Sequence, residues 1–270
     1  MNFIELLEHS NIHKTIIDDF DKWVFHLRDI KGYSHNTYKS YCFDVCDFFI
    51  FFQFYQQESL KTSILNRLDL QTFRAWIADI GSDRSYNNIY KKPLSARSRR
   101  RAISSLKNFL KFNSIKKAEY KFAYTEIQLL KNPKIPKSLP KPISEDQIEQ
   151  LIHELIKVSK KSWVQKRNLA LLYLLYGCGL RINEALSLTK GQLTNKQTIT
   201  VLGKGNKERL IPVLNIVSKS IENYLNEIPY EISDDVSIFL GDRGSPLKAS
   251  AFQRDLKKTR INLGLPKTTT

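Results

Sequence analysis

Twelve residues near the middle of the chain, Lys131–Pro142 (KNPKIPKSLPKP), most constrain what it can fold into. Four prolines in that span fix φ and remove backbone donors, so it forms neither a helix nor a central strand. With lysines at 131, 134, 137 and 141 it reads as an extended, semi-rigid basic spacer. A chain of 270 residues is long enough for two domains, each burying its own core. The spacer places them at 1–130 and 143–270.

The second half is organised by the stretch 169–213. Its opening apolar run reads as a buried helix, broken at Gly177 and Gly179. Arg181 follows the break, ahead of a short amphipathic helix, Ile182–Leu188. A strand Thr198–Leu202, a tight turn Gly203-Lys204-Gly205-Asn206 and a returning strand Arg209–Val213 make a hairpin. A guanidinium after a glycine break and a lysine on a hairpin tip are suited to gripping a phosphate. Taken singly, Arg181 reads equally well as a structural arginine paired to Glu184, and Lys204 as an ordinary turn lysine. Ser144 with Gln147 forms a capping box opening a helix from Glu145 to about Val158. A helix near Val217–Glu227, a strand-turn at Ser237–Pro246 and a basic helix near Ala249–Asn262 complete this half.

The net charge of +16 is unevenly spread. Residues 1–60 hold five Lys/Arg against nine Asp/Glu, whereas residues 91–141 hold fifteen against two. Positive charge of that density implies a polyanionic partner, most simply nucleic acid.

Residues 1–80 read as helices: Ile16–Ile30, then one from about Thr37 to Tyr55 with N-cap chemistry from Ser34, Asn36 and Thr37, then Gln71–Ile80. The segment 81–93 reads as a polar, exposed loop. The next helix, Ser95–Phe112, places Ala102, Ile103, Leu106, Phe109 and Leu110 on one face. Arg97, Arg100, Arg101, Ser104, Lys107 and Lys111 fall on the other. A plain surface helix usually interleaves acids at i, i+4. This one holds none, which favours contact with a sugar-phosphate backbone.

Several function classes are set aside. No apolar run reaches the length of a membrane span, and the N-terminal residues carry acid in place of a signal peptide's basic region, so the chain is expected to stay in the cytosol. Cys42, Cys46 and Cys178 give no disulfide framework or metal spacing and read as buried small residues. His9 and His13 lack a third ligand. The GKGNK turn lies between two strands with no Ser or Thr after Lys207, so it is not a P-loop.

LLYGCGLRINEALSLTKGQL followed by VLGKGNKERLIPV closely resembles the tyrosine recombinases (phage-integrase family) of the bacterial Xer type, nearer the XerC than the XerD branch. GYSHNTYKSYCFDVCDFF and PLSARSRRRAISSLKNFLKF resemble that family's helical, SAM-like core-binding domain, and NPKIPKSLPKPISEDQIEQL its interdomain linker. The implied fold is mainly α: a helical N-terminal domain, then an α+β domain of helices with a small antiparallel hairpin. The implied activity is site-specific strand exchange in duplex DNA through a phosphotyrosyl link, with no metal, cofactor or membrane. A second Xer-type recombinase in a heterotetramer and a DNA translocase are implied partners. Arg181 matches the first phosphate-gripping arginine and Lys204 the hairpin lysine that protonates the leaving 5′ oxygen. Lys207 and Arg209 would support it on the DNA backbone, and Glu184 would brace the helix that carries Arg181.

The sequence departs from this pattern after LGLPKTTT, where the family continues with a His-x-x-Arg box and then its tyrosine. The last histidine here is His153 and the last tyrosine is Tyr230, neither at the family's position. Residues 1–270 are therefore expected to be truncated before the second arginine, the histidines and the nucleophile, and not to cut DNA alone. The alternatives are a non-catalytic DNA-binding protein that occupies recombination sites or modulates a partner recombinase, and an RNA-binding basic protein.

Overall fold

The computed structural model describes residues 12–86, 89–135, 143–193, 198–202 and 208–266. The chain divides into two compact units, Met1–Lys137 and Ser138–Thr270. The division falls inside the Pro/Lys spacer, whose residues 136–142 lie outside the described residues.

The first unit is built on helices α1 (Lys14–Phe25), α2 (His35–Gln56), α3 (Leu70–Asp79), α4 (Ala96–Ser114) and α5 (Glu119–Gln128). Aromatic residues fill its core: Phe20, Trp23, Phe48, Phe49, Phe73, Trp76, Phe109 and Tyr120 are all fully buried. Trp23 satisfies its indole N–H on the Asn108 side chain at 2.8 Å, as a buried ring nitrogen requires. Asp69 opens α3 by accepting the Thr72 amide at 2.8 Å. The α4 residues predicted to face inward, Ala102, Ile103, Leu106, Phe109 and Leu110, are all buried. So are Cys42 and Cys46.

Two expectations in this unit need correction. The first concerns the helix over Ile16–Ile30. Ile16, Ile17, Phe20, Trp23 and Leu27 recur at helical spacing and face the core, but Ile30, which the same period would bury, is 64% exposed. After Phe25 the helix widens into one π turn, His26–Ile30, closed by the Lys31 amide on the His26 carbonyl at 2.9 Å. A π turn holds an extra residue, which rotates Ile30 out of the α-helical phase.

The second concerns the segment 81–93. It contains a short antiparallel hairpin, β1 (Arg84–Tyr86) and β2 (Ile89–Lys91). Arg84 is buried because two carboxylates meet it there: Nη1 donates to Asp47 of α2 at 2.8 Å and to Asp79 of α3 at 3.0 Å. Lys91 adds a contact to Asp47 at 2.8 Å. A buried cation needs such partners to offset desolvation.

The second unit comprises α6 (Glu145–Ile156), α7 (Ser162–Gly177), α8 (Ile182–Leu186), the hairpin β3 (Thr198–Leu202) and β4 (Glu208–Pro212), α9 (Asn215–Leu225) and α10 (Ala249–Asn262). The predicted capping box is present: the Gln147 amide donates to Ser144 Oγ at 3.3 Å and the Ser144 amide to Gln147 Oε1 at 3.1 Å. Leu171, Leu174, Ala185, Val217, Tyr224, Phe239 and Phe252 form its core. The predicted strand-turn over 237–246 is not a paired strand. It makes isolated bridges only, Thr189 with Ser237 and Leu240 with Pro246. Its backbone is held partly by other backbone, as in the Ile238 amide on the Leu188 carbonyl at 2.9 Å and the Leu247 amide on the Phe239 carbonyl at 2.8 Å, and partly by a side chain: the Tyr224 hydroxyl donates to the Ile238 carbonyl at 2.8 Å and accepts from the Leu240 amide at 3.2 Å.

Candidate nucleic-acid interface

Arg181 owes its position to the end of α7. Gly179 has φ +62°, a left-handed conformation that only glycine adopts cheaply. The turn sends the Leu180 amide back to the Leu174 carbonyl at 3.4 Å and buries the Leu180 side chain. Leu180 thus anchors the turn, and Arg181, at the N-cap of α8, is left facing solvent with its side chain 67% exposed.

Glu184 lies one helical turn on, its side chain only 9% exposed. Its Oε2 accepts the Arg181 backbone N–H at 2.8 Å and its Oε1 accepts Arg181 Nη1 at 2.8 Å. A third donor comes from β4, where Arg209 Nη2 reaches Glu184 Oε2 at 2.8 Å. Burial works to raise the pKa of the Glu184 carboxyl. The Arg181 amide and guanidinium, with the Arg209 charge, outweigh that and hold it below the usual carboxylate range. Glu184 therefore braces Arg181, and Arg181 is at the same time open to solvent. Lys204 and Lys207 lie outside the described residues.

In the first unit, Arg97, Arg100 and Lys111 are exposed along α4 and Lys107 is half-buried. Among the described residues no carboxylate pairs with any of the four. Desolvation lowers the pKa of Lys107. Arg101 differs: its Nε and Nη2 both meet the buried carboxylate of Asp44 at 2.9 Å, and Ser105 Oγ donates to the same group at 2.9 Å. Ser34, Asn36 and Thr37 are exposed at the start of α2; Ser34 is the N-cap, but contrary to expectation its hydroxyl caps no amide and lies 2.8 Å from the Thr37 hydroxyl instead.

Tyr230 is held by its own unit. Its hydroxyl donates to the Asp242 carbonyl at 2.9 Å, its ring meets Trp163 edge-on at 5.9 Å, and it covers Gly244. Arg167, which the sequence reading passed over, is buried in α7 and donates to the Leu240 carbonyl at 2.9 Å. It holds the same turn from beneath. Also unforeseen is a cleft of about 560 Å³ lined by Arg243, Lys248, Arg254 and Lys258, with Asp242 and Asp255 among them. Its only trace in the sequence is the density of cations over 243–260.

Residues 141–270 match the phage integrase family, and residues 20–117 match the phage integrase N-terminal SAM-like domain. The chain is 37% identical over 252 residues to the tyrosine recombinase XerC of Rickettsia canadensis, covering 93% of this chain and 79% of that protein. It is 36% identical to XerC of Rickettsia bellii over 245 residues, covering 91% and 76%. Among solved structures, XerH recombinase in a post-cleavage complex with its palindromic difH substrate superposes with a TM-score of 0.62 at 20% identity. That match covers 86% of this chain and 63% of XerH. A lambda integrase dimer bound to a COC′ core site gives 0.62 at 13% identity, covering 92% and 63%. At those identities the structural matches establish the fold. The sequence matches establish the family, and the chain belongs to the XerC-like tyrosine recombinases of the phage integrase family.

Proposed function

We propose that this Xer-type tyrosine recombinase chain binds duplex DNA with two surfaces and grips one phosphate at Arg181. The observation that carries the reading is Arg181 itself, an exposed guanidinium set on a glycine turn and held from below by a carboxylate. With Nη1 engaged, Nε and Nη2 remain to meet a phosphate as a planar fork. Preorganised positive charge of this kind stabilises the pentavalent phosphate of strand transfer. Lys204 would protonate the leaving 5′ oxygen, with Lys207 on the adjoining backbone. In the first unit, Arg97, Arg100, Lys107 and Lys111 would track the phosphates, with Ser34, Asn36 and Thr37 as further contacts and Arg101 as a contact that also neutralises Asp44. The solved XerH and lambda integrase structures, bound to a difH substrate and a COC′ core site, support duplex DNA as the partner.

Cutting is a separate matter. The hydroxyl of Tyr230, the last tyrosine of the sequence, is engaged on the Asp242 carbonyl. We propose that residues 1–270 by themselves clamp a site without cleaving it, because Tyr230 is held on a backbone carbonyl and does not stand at the family's nucleophile position. A second Xer-type recombinase in a heterotetramer is the proposed protein partner, with a DNA translocase as its regulator. The alternative reading, a non-catalytic protein that occupies recombination sites or modulates a partner recombinase, shares this clamp and differs in having no strand-exchange step.

The test uses the purified chain with a labelled, nicked duplex bearing a recombination site. The expected result is a native complex whose affinity falls steeply between about 50 and 200 mM salt, with no band surviving SDS. An SDS-stable adduct would overturn the non-cleaving reading. Preference for structured RNA over duplex would overturn the DNA reading.

A further inference from the structure

We infer that Arg209 is a positioning residue that aims Arg181 through Glu184, and is not itself the DNA contact. This rests on the reading that Arg181 grips a phosphate. The three side chains form a chain of contacts from the protected to the open side: Glu184 is 9% exposed, Arg209 41% and Arg181 67%. Both Glu184 oxygens are in use, Oε1 by Arg181 Nη1, and Oε2 jointly by the Arg181 amide and Arg209 Nη2, each at 2.8 Å.

Arg209 does two things in this arrangement. First, it fixes Glu184. The carboxylate takes donors from two different elements, α8 and β4, so its rotamer is determined from both sides. An arginine held at Nη1 by a fixed carboxylate keeps its remaining donors turned outward. Second, it corrects the charge. Glu184 alone would cancel Arg181 and leave a neutral pair with little attraction for phosphate. With Arg209 present, the cluster of two guanidinium groups and one carboxylate keeps one net positive charge, concentrated on its most exposed member.

The hairpin is also held at mid-strand, beside Arg209. Gln192 Nε2 donates to the Thr200 carbonyl of β3 at 3.3 Å, while its Oε1 accepts the Thr189 amide at 3.0 Å. Arg209 is therefore presented to Glu184 from a strand pair already tied to the turn that follows α8.

A double-mutant cycle on the full chain separates positioning from direct contact. Arg209→Ala is expected to weaken duplex binding about tenfold, the usual scale for a charged hydrogen bond. In a Glu184→Gln background the same change should cost less than about twofold. Equal losses in both backgrounds would mean that Arg209 touches DNA directly, which overturns the inference. The second measurement needs no DNA: the Nε–H resonance of Arg181, assigned by Arg181→Lys. It should stand apart in the unchanged chain and move into the envelope of exposed arginines in Arg209→Ala and in Glu184→Gln, but not in Arg100→Ala. An Arg181 resonance unmoved by loss of Arg209 overturns the inference. Arg209→Gln, which keeps most of the aliphatic stem, repeats both measurements if Ala disturbs the hairpin. Should the unchanged chain fail to bind duplex, the phosphate-grip reading falls, while the Arg181 resonance still decides the coupling.

Discussion

Arg101 of α4 and Asp44 of α2 meet through two parallel contacts of 2.9 Å, closing a bidentate pair over a carboxylate that is only 5% exposed. Burial raises the pKa of Asp44, and Arg101 and Ser105 work against that rise. The stripe of cations on α4 therefore contains one member that holds the fold together beside four that do not.

That difference is measurable. Arg101→Ala leaves a buried carboxylate with only the Ser105 hydroxyl and no charged partner, and should cost about 2 kcal/mol in urea unfolding, below the cost of a fully buried pair because Arg101 is itself 45% exposed. Arg100→Ala should stay within about 0.5 kcal/mol of the unchanged chain and weaken duplex binding.

Lys107 and Lys111 should act on DNA affinity in a way that salt reveals. Replacing either with Ala is expected to lower the slope of log affinity against log salt by about one unit, uniformly across duplex sequences. The check is a salt titration by fluorescence anisotropy with two unrelated duplexes.

Gly179→Ala tests the turn that carries Arg181. A Cβ there meets no atom within 4 Å, so the cost comes from φ +62° and not from a clash. About 1 kcal/mol of stability should be lost, together with weaker duplex binding as the turn relaxes. Gly177→Ala contrasts with it. Its Cβ would lie 3.3 Å from Val217 Cγ2 at ordinary helix geometry, so the α7–α9 contact must shift slightly while Arg181 stays in place.

Glu184 sets a pH dependence whose sign follows from its partners. Its folded pKa lies below the ordinary 4.5, so it contributes stability that is fully present above that value and lost as pH falls through the folded value. The difference in unfolding free energy between the unchanged chain and Glu184→Gln should therefore shrink on acidification from pH 6 to about 3. A difference that grows on acidification would contradict the geometry.

Tyr230→Phe removes only the hydroxyl that donates to the Asp242 carbonyl. A loss of about 1 kcal/mol in stability is expected, with no change in the SDS gel of the duplex reaction. A covalent band given by the unchanged chain and lost in this variant would identify Tyr230 as a nucleophile after all.

How much of this was readable in advance depends on the distance over which each feature is encoded. The inward face of α4 and the Ser144 cap are written within one or two helical turns, so periodicity and spacing recover them. The helix break before Arg181 is equally local, since glycines at 177 and 179 mark it, although only Gly179 takes the left-handed conformation. The commitment of Arg101 was not legible, because helical phase gives a direction and not a partner, and Asp44 lies 57 residues away. Arg209 was hidden for the same reason, 25 residues from Glu184. The hairpin at 84–91 escaped because strands of three residues are too short for alternation to register. Burial of Arg84 there depends on acids from two other helices.

The π turn at His26–Ile30 also makes α1 and α2 unequal before insertions and deletions. Deleting one residue within 26–30 would restore ordinary α-helical hydrogen bonding without moving anything upstream, so Phe20 and Trp23 would keep their places in the core. The same deletion in the middle of α2 would turn everything after it by about 100° and carry Phe48, Phe49 and Phe52 off the core face. A one-residue change of length that spares the buried Leu27 should therefore cost less in the turn after α1 than in the middle of α2.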